Sequence, residues 1–302
     1  MPRLAGIINS KFNKTLSMSP DYYIGLPQWK HPQWDQSFQT DLHQSDLSQY
    51  AACFNSVEGN TTFYGLPGFE TLQRWRQETP SSFRFCFKFP QTITHMARLR
   101  DCETELRLFL DAMLSLEERL GMLCLQLPGS FGPDDLVPLE RFLQQLPAGL
   151  RYGVEVRHPV FFQGGDAERR FNRLLMETGI NRIAFDTRAL FAHPAQDAVS
   201  REALQQKPRL PLRVLATGTA PMVRFITPLS LEQGYAWLEP WVGQVLKWID
   251  EGRTPFMFMH TPDNRQAPEL ARWFAQRLQQ QRPGIKGFVD WAHLPRRQPG
   301  LF

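Results

Sequence analysis

Short apolar runs alternate with longer amphipathic segments from Tyr22 to the end of the chain, and this alternation constrains the fold more than any other feature. The runs have the length and apolar character of buried strands, whereas the segments between them repeat with the helical period. Eight strands are predicted. They are Tyr22–Gly25, Phe54–Glu58, Phe83–Phe89, Met122–Leu127, a fifth strand that begins at Tyr152, Arg182–Asp186, Met222–Ile226 and Phe256–His260.

Helices are predicted between these strands, and helical crossovers make consecutive strands parallel. Eight such units predict an α/β fold, the (β/α)8 TIM barrel of about 250 residues. A doubly wound open sheet is the alternative, but its first strand is normally followed by a glycine-rich phosphate turn, which Gly25-Leu26-Pro27 is not. The predicted helices are Leu42–Cys53, Phe69–Gln77, Glu103–Leu120, Asp134–Leu146, Asp166–Thr178, Leu238–Glu251 and Pro268–Gln281.

The domain organisation follows from where this pattern holds and where it fails. Residues 21–302 contain no boundary between independent halves, so they are predicted to form a single TIM-barrel domain. Residues 1–20, rich in serine, asparagine and lysine, are expected to be a disordered N-terminal extension. Residues 187–221 interrupt the rhythm with many prolines and arginines, and they are expected to form an irregular excursion over one end of the barrel.

Composition excludes several classes of protein. The chain is mildly basic, with a net charge of +4 and a pI of about 9.0, but it lacks the clustered basic runs of a dedicated nucleic-acid binder. Its surplus of arginine over lysine suits an anionic partner. Every apolar run is shorter than the roughly 18 residues of a membrane span, so no membrane partner and a cytoplasmic location are expected. The cysteines form no C-x-x-C pair and are expected to be reduced core residues: Cys53, Cys86, Cys102 and Cys124.

The fifth strand ends in an unusual group of side chains. Glu155, Arg157 and His158 follow directly on its apolar positions. Because an unpaired buried charge costs several kcal/mol, these groups must either pair with one another or face a ligand. The first option is a structural ion pair, and the second is a binding site.

Polar residues follow the other seven strands as well, and a TIM barrel brings all these strand ends to one rim. Carboxylates, cations, histidines and aromatic walls together predict a pocket for an anionic or hydroxyl-rich, sugar-like ligand. Simple buried pairs, Glu58 with Lys88 and Glu155 with Arg157, are the structural alternative. The candidate catalytic residues are Glu58, Glu155 and Asp186. The candidate substrate-binding residues are Trp29, Asn60, Tyr64, Lys88, His95, Gln126, Arg157, His158, Arg224 and His260.

Two mechanisms are compatible with such a rim. Glu155, Asp186, His158 and His260 are potential ligands of a divalent metal, although no H-x-H or H-E-x-x-H spacing supports a metal site. Without a metal, Lys88, Arg157 and Arg224 would clamp a phosphate or carboxylate, while Glu155 or Glu58 serves as acid or base.

A family resemblance is carried by motifs along the whole chain from Tyr22. The sequence resembles the YecE-like family, in which the activity is not established. The motifs are Tyr23-Ile24-Gly25-Leu26-Pro27-Gln28-Trp29, Val57-Glu58-Gly59-Asn60-Thr61-Thr62-Phe63-Tyr64, Phe85-Cys86-Phe87-Lys88-Phe89-Pro90, Ile93-Thr94-His95, Gln126-Leu127-Pro128, Val154-Glu155-Val156-Arg157-His158-Pro159, Val223-Arg224-Phe225-Ile226, His260-Thr261-Pro262-Asp263 and Ala267-Pro268-Glu269.

The resemblance implies a TIM barrel similar to those of endonuclease IV and the xylose-isomerase-like enzymes, and by analogy a metal-assisted reaction on DNA or sugars. The chain lacks the full histidine and carboxylate set of a multi-metal nuclease. It also has Leu26-Pro27-Gln28 where the family commonly has Thr-Ser-Gly, and Ile226-Thr227 where His-Gly is common. These departures point to a pocket specialised within the family.

Three functions remain open on the sequence alone. The first is an enzyme, a hydrolase or an isomerase, that acts on a small phosphorylated or hydroxyl-rich substrate. The second is nucleic-acid binding or phosphodiester hydrolysis, with Arg98, Arg100 and Arg188 around the same mouth. The third is a non-catalytic ligand-binding or interaction module.

Overall fold

The structure of the protein is a computed structural model, and it describes residues 20–34, 38, 41 and 43–291. Nearly all of the predicted extension at 1–20 therefore lies outside the described residues. Eight strands are found at the eight predicted places. They are β1 (Tyr23–Gly25), β2 (Ser56–Gly59), β3 (Arg84–Lys88), β4 (Leu120–Gln126), β5 (Tyr152–Glu155), β6 (Asn181–Asp186), β7 (Met222–Ile226) and β8 (Phe256–His260).

The strands form one parallel sheet in the order β1-β8-β7-β6-β5-β4-β3-β2, which brings the two edge strands together in a nearly closed (β/α)8 barrel. The TIM-barrel prediction is confirmed. Side chains span the seam between β1 and β2: the Tyr50 hydroxyl accepts from Leu26 N at 2.8 Å and donates to Ser56 O at 2.9 Å. The backbones are so close here that a Cβ on Gly25 would lie 2.0 Å from Ser56 O.

Ten α-helices are found in the described part of the chain, and most of them surround the sheet. Residues 187–221, which connect β6 to β7, contain two of these helices and no strand. No described helix is both long and apolar enough to span a bilayer. The helices are α1 (Asp46–Cys53), α2 (Thr61–Tyr64), α3 (Phe69–Gln77), α4 (Glu103–Leu114), α5 (Leu136–Gln144), α6 (Asp166–Thr178), α7 (Arg188–Phe191), α8 (Ala198–Gln206), α9 (Leu231–Asp250) and α10 (Ala267–Gln281).

The largest differences from the predicted helix boundaries are in α1, α4 and α9; elsewhere the ends agree to within two residues. Helix α4 ends at Leu114, six residues early, because Glu117 has a φ of 51° and a short 3-10 turn leads directly into β4. Helix α9 begins at Leu231, seven residues early, despite Gly234 within it. Helix α1 begins at Asp46, where Ser45 caps it by accepting from Ser48 N. The predicted start of that helix, Leu42, lies outside the described residues.

The barrel interior has an apolar floor beneath a polar layer, because side chains alternate across each strand with a period of two. Cys86 precedes Lys88 by two residues, just as Cys124 precedes Gln126. The apolar partners join one buried cluster, and the polar ones follow at the carboxyl ends. The floor consists of Tyr23, Cys86, Met122, Cys124, Ile183, Ala220, Met222, Phe256 and Phe258. All four cysteines are buried and unpaired, as expected.

Candidate functional site

Arg224 is the centre of the polar layer. It lies on β7, and its guanidinium donates from Nε to Glu58 Oε2 at 2.8 Å and from Nη1 to Glu155 Oε2 at 2.6 Å. The three side chains are each less than a tenth exposed. One fork-shaped cation thus connects strands β2, β5 and β7 through the barrel interior.

The charges in this layer fix the ionisation of both glutamates. Burial would raise the pKa of Glu58, but the cations of Arg224 and Lys88 hold it well below its usual range. Burial likewise acts against the ionised form of Glu155, yet Arg224 and Arg157 lower its pKa to about 2. Both carboxylates are therefore ionised at neutral pH, so neither can donate a proton before it has accepted one.

Lys88 ends strand β3 beside this cluster. Its Nζ donates to Gln126 Oε1 at 2.8 Å and lies 3.5 Å from Glu58 Oε1. Burial and the neighbouring Arg224 cation lower the pKa of Lys88 to about 8. This side chain can therefore exchange a proton close to physiological pH.

Arg157 and His260 complete the layer. Arg157 contacts Glu155 Oε1 through both Nε and Nη2 at 2.8 Å. His260 Nε2 lies 3.5 Å from Glu58 Oε2, and burial lowers the pKa of His260 to about 4 although Glu58 opposes this. The imidazole is therefore neutral at pH 7. The pairs of the structural alternative, Glu58 with Lys88 and Glu155 with Arg157, are both formed, and Arg224 joins them into one network.

A cavity of about 290 Å³ opens above one side of this layer. Its wall contains three cationic side chains and no carboxylate, since the buried Glu58 and Glu155 are not among the lining residues. Amide, hydroxyl and aromatic groups supply the rest of the surface. The lining residues are Pro27, Gln28, Asn60, Phe63, Tyr64, Lys88, Gln126, Lys207, Arg224, His260, Thr261, Pro262 and Asn264.

Several buried polar atoms at this cavity lack a hydrogen-bond partner within the described residues. They are Asn60 Oδ1, Asn264 Oδ1 and His260 Nε2, and all three residues line the cavity. The Asn60 amide nitrogen is engaged, since it donates to Pro27 O at 2.9 Å. A buried polar atom without a partner costs about 1–3 kcal/mol, so this wall is suited to a ligand that offers hydrogen bonds.

Lys207 is a cavity residue that the strand-end rule did not identify. It follows helix α8 in the excursion between β6 and β7, and it lines the cavity together with Arg224. Within the part of the chain that the structure describes, no carboxylate lies within 4.0 Å of its ammonium. Burial and the Arg224 charge lower the pKa of Lys207. The sequence signal was the proline and arginine enrichment of this segment, which predicts an excursion but does not identify a cavity residue.

Two candidate residues, Tyr64 and His95, belong to the aromatic side of the cavity. Tyr64 lines it and is 77% exposed, and its ring contacts Phe63 edge-on at 5.2 Å. His95 contacts the same Phe63 ring at 5.1 Å and bonds Thr94 Oγ1 at 2.9 Å through Nδ1. Burial and the Arg157 and Lys88 charges lower the pKa of His95. His95 therefore contacts the aromatic wall but does not line the cavity.

Three other candidates lie outside the cavity lining. Asp186 accepts from Arg188 at 2.9 Å and from Trp241 Nε1 at 2.9 Å, which ties β6 to α7 and α9. Trp29 packs against other aromatic rings, including that of Trp75 at 5.1 Å. His158 caps a short 3-10 helix by accepting from Val160 N. Asp186 is therefore not part of the ion-pair network that contains Glu58 and Glu155.

The four potential metal ligands do not form one set. Asp186 and His158 are engaged as described above, while Glu155 binds two arginines and His260 faces Glu58. In the described ranges no three His, Cys, Asp or Glu side chains converge in a way that would hold a metal ion.

The arginines expected to contact nucleic acid are engaged in ion pairs. Arg98 and Arg100 both bind Asp135, at 2.5 and 3.0 Å, and Arg188 binds Asp186 at 2.9 Å. Each guanidinium is thus partly neutralised by its own chain.

Comparison with known proteins places these features in a family. Residues 23–298 match the family model described as a protein of unknown function, DUF72. The chain is 43% identical over 263 residues to the UPF0759 protein YecE of Escherichia coli, across 87% of this chain and 94% of that protein.

Solved structures agree with the fold. A DUF72 family protein from Thermotoga maritima superposes with a TM-score of 0.63 and 20% identity, over 85% of this chain and 99% of its own. A DUF72 family protein from Enterococcus faecalis gives a TM-score of 0.61 and 19% identity, over 86% and 96%. At these identities the likeness extends to the fold alone.

Proposed function

The chain belongs to the DUF72 family, and from the site itself we propose that the protein binds a small phosphorylated, hydroxyl-rich compound at the carboxyl end of the barrel. One observation carries this proposal: the cavity wall contains Lys88, Lys207 and Arg224 and no carboxylate. A wall of that kind favours an anion.

The charge balance supports the anionic part of the ligand. Four cations meet at the mouth, namely Lys88, Arg157, Arg224 and Lys207, and two carboxylates, Glu58 and Glu155, oppose them. Two positive charges remain, which matches the charge of a phosphate monoester near neutral pH. Because Arg224 is already bound by two carboxylates, Lys207 and Lys88 are the cations available to the phosphate.

The unpartnered amide oxygens support the hydroxyl-rich part. Asn60 Oδ1 and Asn264 Oδ1 are acceptors, and they need donors such as sugar hydroxyls. The rings of Phe63 and Tyr64 give one side of the cavity an apolar face, against which a sugar ring can pack. A volume of about 290 Å³ is at the lower end for ligand sites, which favours a compound of monosaccharide size.

Calorimetric titration at pH 7 tests the proposal, with glucose 6-phosphate and glucose as a matched pair. We expect the phosphorylated sugar to bind more tightly than glucose. Lys207→Gln should weaken binding of glucose 6-phosphate by about tenfold, since a hydrogen bond to a charged group contributes about 1.5–3 kcal/mol. Lys247→Gln, on the exposed surface of α9, is the control and should bind as the parent does. Equal affinities for the two sugars, or equal effects of the two lysine variants, would refute the proposal.

A further inference from the structure

We propose that Lys88 forms a Schiff base with the carbonyl carbon of an aldehyde or ketone that enters this cavity. The inference rests on the proposed function and deepens it, because it identifies the substrate class as small phosphorylated carbonyl compounds. Lys207 would bind the phosphate, and Lys88 would supply the reacting amine.

The choice of residue type at position 88 is the first argument. The chain contains 27 arginines and seven lysines, so its basic residues are arginine nearly four times in five. Arginine serves wherever a permanent charge is needed, as Arg224 does, but a guanidinium cannot lose its proton at physiological pH. Lys88, like Arg224, lines the cavity and lies close to Glu58, but its amine can lose the proton that a guanidinium keeps.

The surroundings of Lys88 Nζ are the second argument. The side chain is 13% exposed, and its nitrogen lies between Gln126 Oε1 at 2.8 Å and Glu58 Oε1 at 3.5 Å. One of its protons is donated to Gln126, the Glu58 carboxylate lies within ion-pair distance, and the side chain lines the cavity. Burial and the adjacent Arg224 favour the neutral amine, the nucleophilic form. With a pKa of about 8, roughly a tenth of the side chain is neutral at pH 7.

Glu58 gives the reaction its proton path. Its Oε1 accepts one proton from the Lys88 ammonium, and the neutral amine adds to the carbonyl carbon. A proton moves from nitrogen to oxygen within the adduct, which yields a carbinolamine. Glu58 then returns its proton to the carbinolamine hydroxyl, the C–O bond breaks and water leaves. An ammonium and a carbonyl compound have become a protonated imine and one water, with no oxidant or reductant involved.

Within the described ranges, Lys207 differs from Lys88 in having no carboxylate close to its amine. Both line the cavity, but among the described side chains Lys207 has no carboxylate within 4.0 Å to take its proton. Lys207 is therefore assigned to binding the phosphate. As a second lysine in the same cavity, it also serves as a comparison for the reactivity of Lys88.

Reductive trapping on the full chain tests the inference. The protein is incubated at pH 7 with dihydroxyacetone phosphate and sodium cyanoborohydride, and adducts are mapped by peptide mass spectrometry. We expect a single adduct, on Lys88, that inorganic phosphate suppresses. Lys88→Arg keeps the charge and should abolish the adduct. Lys207→Gln should leave the adduct on Lys88 but require about tenfold more probe, the factor expected for one lost charged hydrogen bond.

Glycerol 3-phosphate separates this inference from the proposed function, because it has the phosphate and hydroxyls but no carbonyl. If it binds by calorimetry while dihydroxyacetone phosphate leaves no adduct on Lys88, the Schiff base is refuted and the proposed function stands. An adduct spread over the exposed lysines, or retained in Lys88→Arg, also refutes it. If neither compound binds and no adduct forms, both proposals are refuted.

Discussion

Arg224 on β7 donates to Glu58 on β2 across the barrel interior, from Nε to Oε2 at 2.8 Å. The two residues are 166 positions apart in the chain and lie on strands that share no ladder. The contact therefore forms only when the whole sheet has curved round. It links the ionisation of the site to the folding of the barrel.

Removal of the guanidinium should destabilise the protein strongly. In Arg224→Met, Glu58 and Glu155 remain buried with part of their compensating charge gone. Breaking a buried ion pair from one side costs about 3–5 kcal/mol. Urea unfolding of the variant should show a loss of this size in the free energy of unfolding.

Two further variants separate charge from packing. Glu58→Gln and Glu155→Gln added to Arg224→Met should recover part of the loss, because no uncompensated carboxylate then remains. Arg169→Met removes an exposed ion pair with Asp166 and should cost less than about 1 kcal/mol. If Arg224→Met matched Arg169→Met, the buried network would have no stabilising role.

Acid should destabilise the fold in two successive windows. His260 has a pKa of about 4 when folded and 6.5 ordinarily, so the unfolded chain takes up the extra proton and stability falls as the pH drops from 6.5 to 4. Glu155 has a pKa of about 2 when folded and 4.5 ordinarily, so its contribution is complete above pH 4.5 and is lost toward pH 2.

His260→Gln tests the upper window. The free energy of unfolding of this variant should decline less steeply than that of the parent between pH 6.5 and 4, by at most about 1.4 kcal/mol per pH unit. Below pH 4 the two curves should run parallel. Identical slopes throughout would show that His260 is protonated equally in the folded and unfolded chains.

Much of the polar layer was predictable because the side-chain period of a strand is fixed. Lys88 and Gln126 each stand two positions after an inward-facing cysteine, so the strand assignments alone direct them into the barrel. Strands β7 and β8 were predicted with their observed bounds, since Pro221 and Pro255 stand directly before them.

Other features depend on tertiary packing and could not be predicted from the sequence. Helix α9 includes Gly234, a poor helix former, because a Cβ there would lie 1.8 Å from Thr227 Oγ1. Lys207 lines the cavity because of how the segment 187–221 folds. That segment has no regular apolar period from which the position of Lys207 could be predicted. Asp186 stands at a strand end as Glu155 does, and only its contacts with Arg188 and Trp241 distinguish the two.

Asp186 should therefore act on stability and not on binding. In Asp186→Asn the amide nitrogen cannot accept from Arg188 or Trp241, so one buried contact is lost at a cost of about 1–3 kcal/mol. Calorimetry should give the parent affinity for glucose 6-phosphate. A loss of affinity as large as that of Lys207→Gln would instead assign Asp186 to the site.

The Tyr50 hydroxyl should stabilise the seam between β1 and β2. Tyr50 is fully buried, and its hydroxyl group is the bridge between Leu26 N and Ser56 O. Tyr50→Phe keeps the ring but leaves the buried Leu26 amide without that partner, which costs about 1–3 kcal/mol. Asn55 still accepts from Ile24 N at 2.7 Å, so the barrel should remain closed and the protein folded.

Tyr64→Phe is the matched control, because its hydroxyl is lost from a side chain that is 77% exposed. Urea unfolding should give Tyr50→Phe a lower free energy of unfolding than both the parent and Tyr64→Phe. Gly25→Ala should be more damaging than either, since its Cβ would lie 2.0 Å from Ser56 O and force the two strands apart. If Tyr50→Phe were as stable as the parent, the strands at this seam would be held together without the hydroxyl bridge.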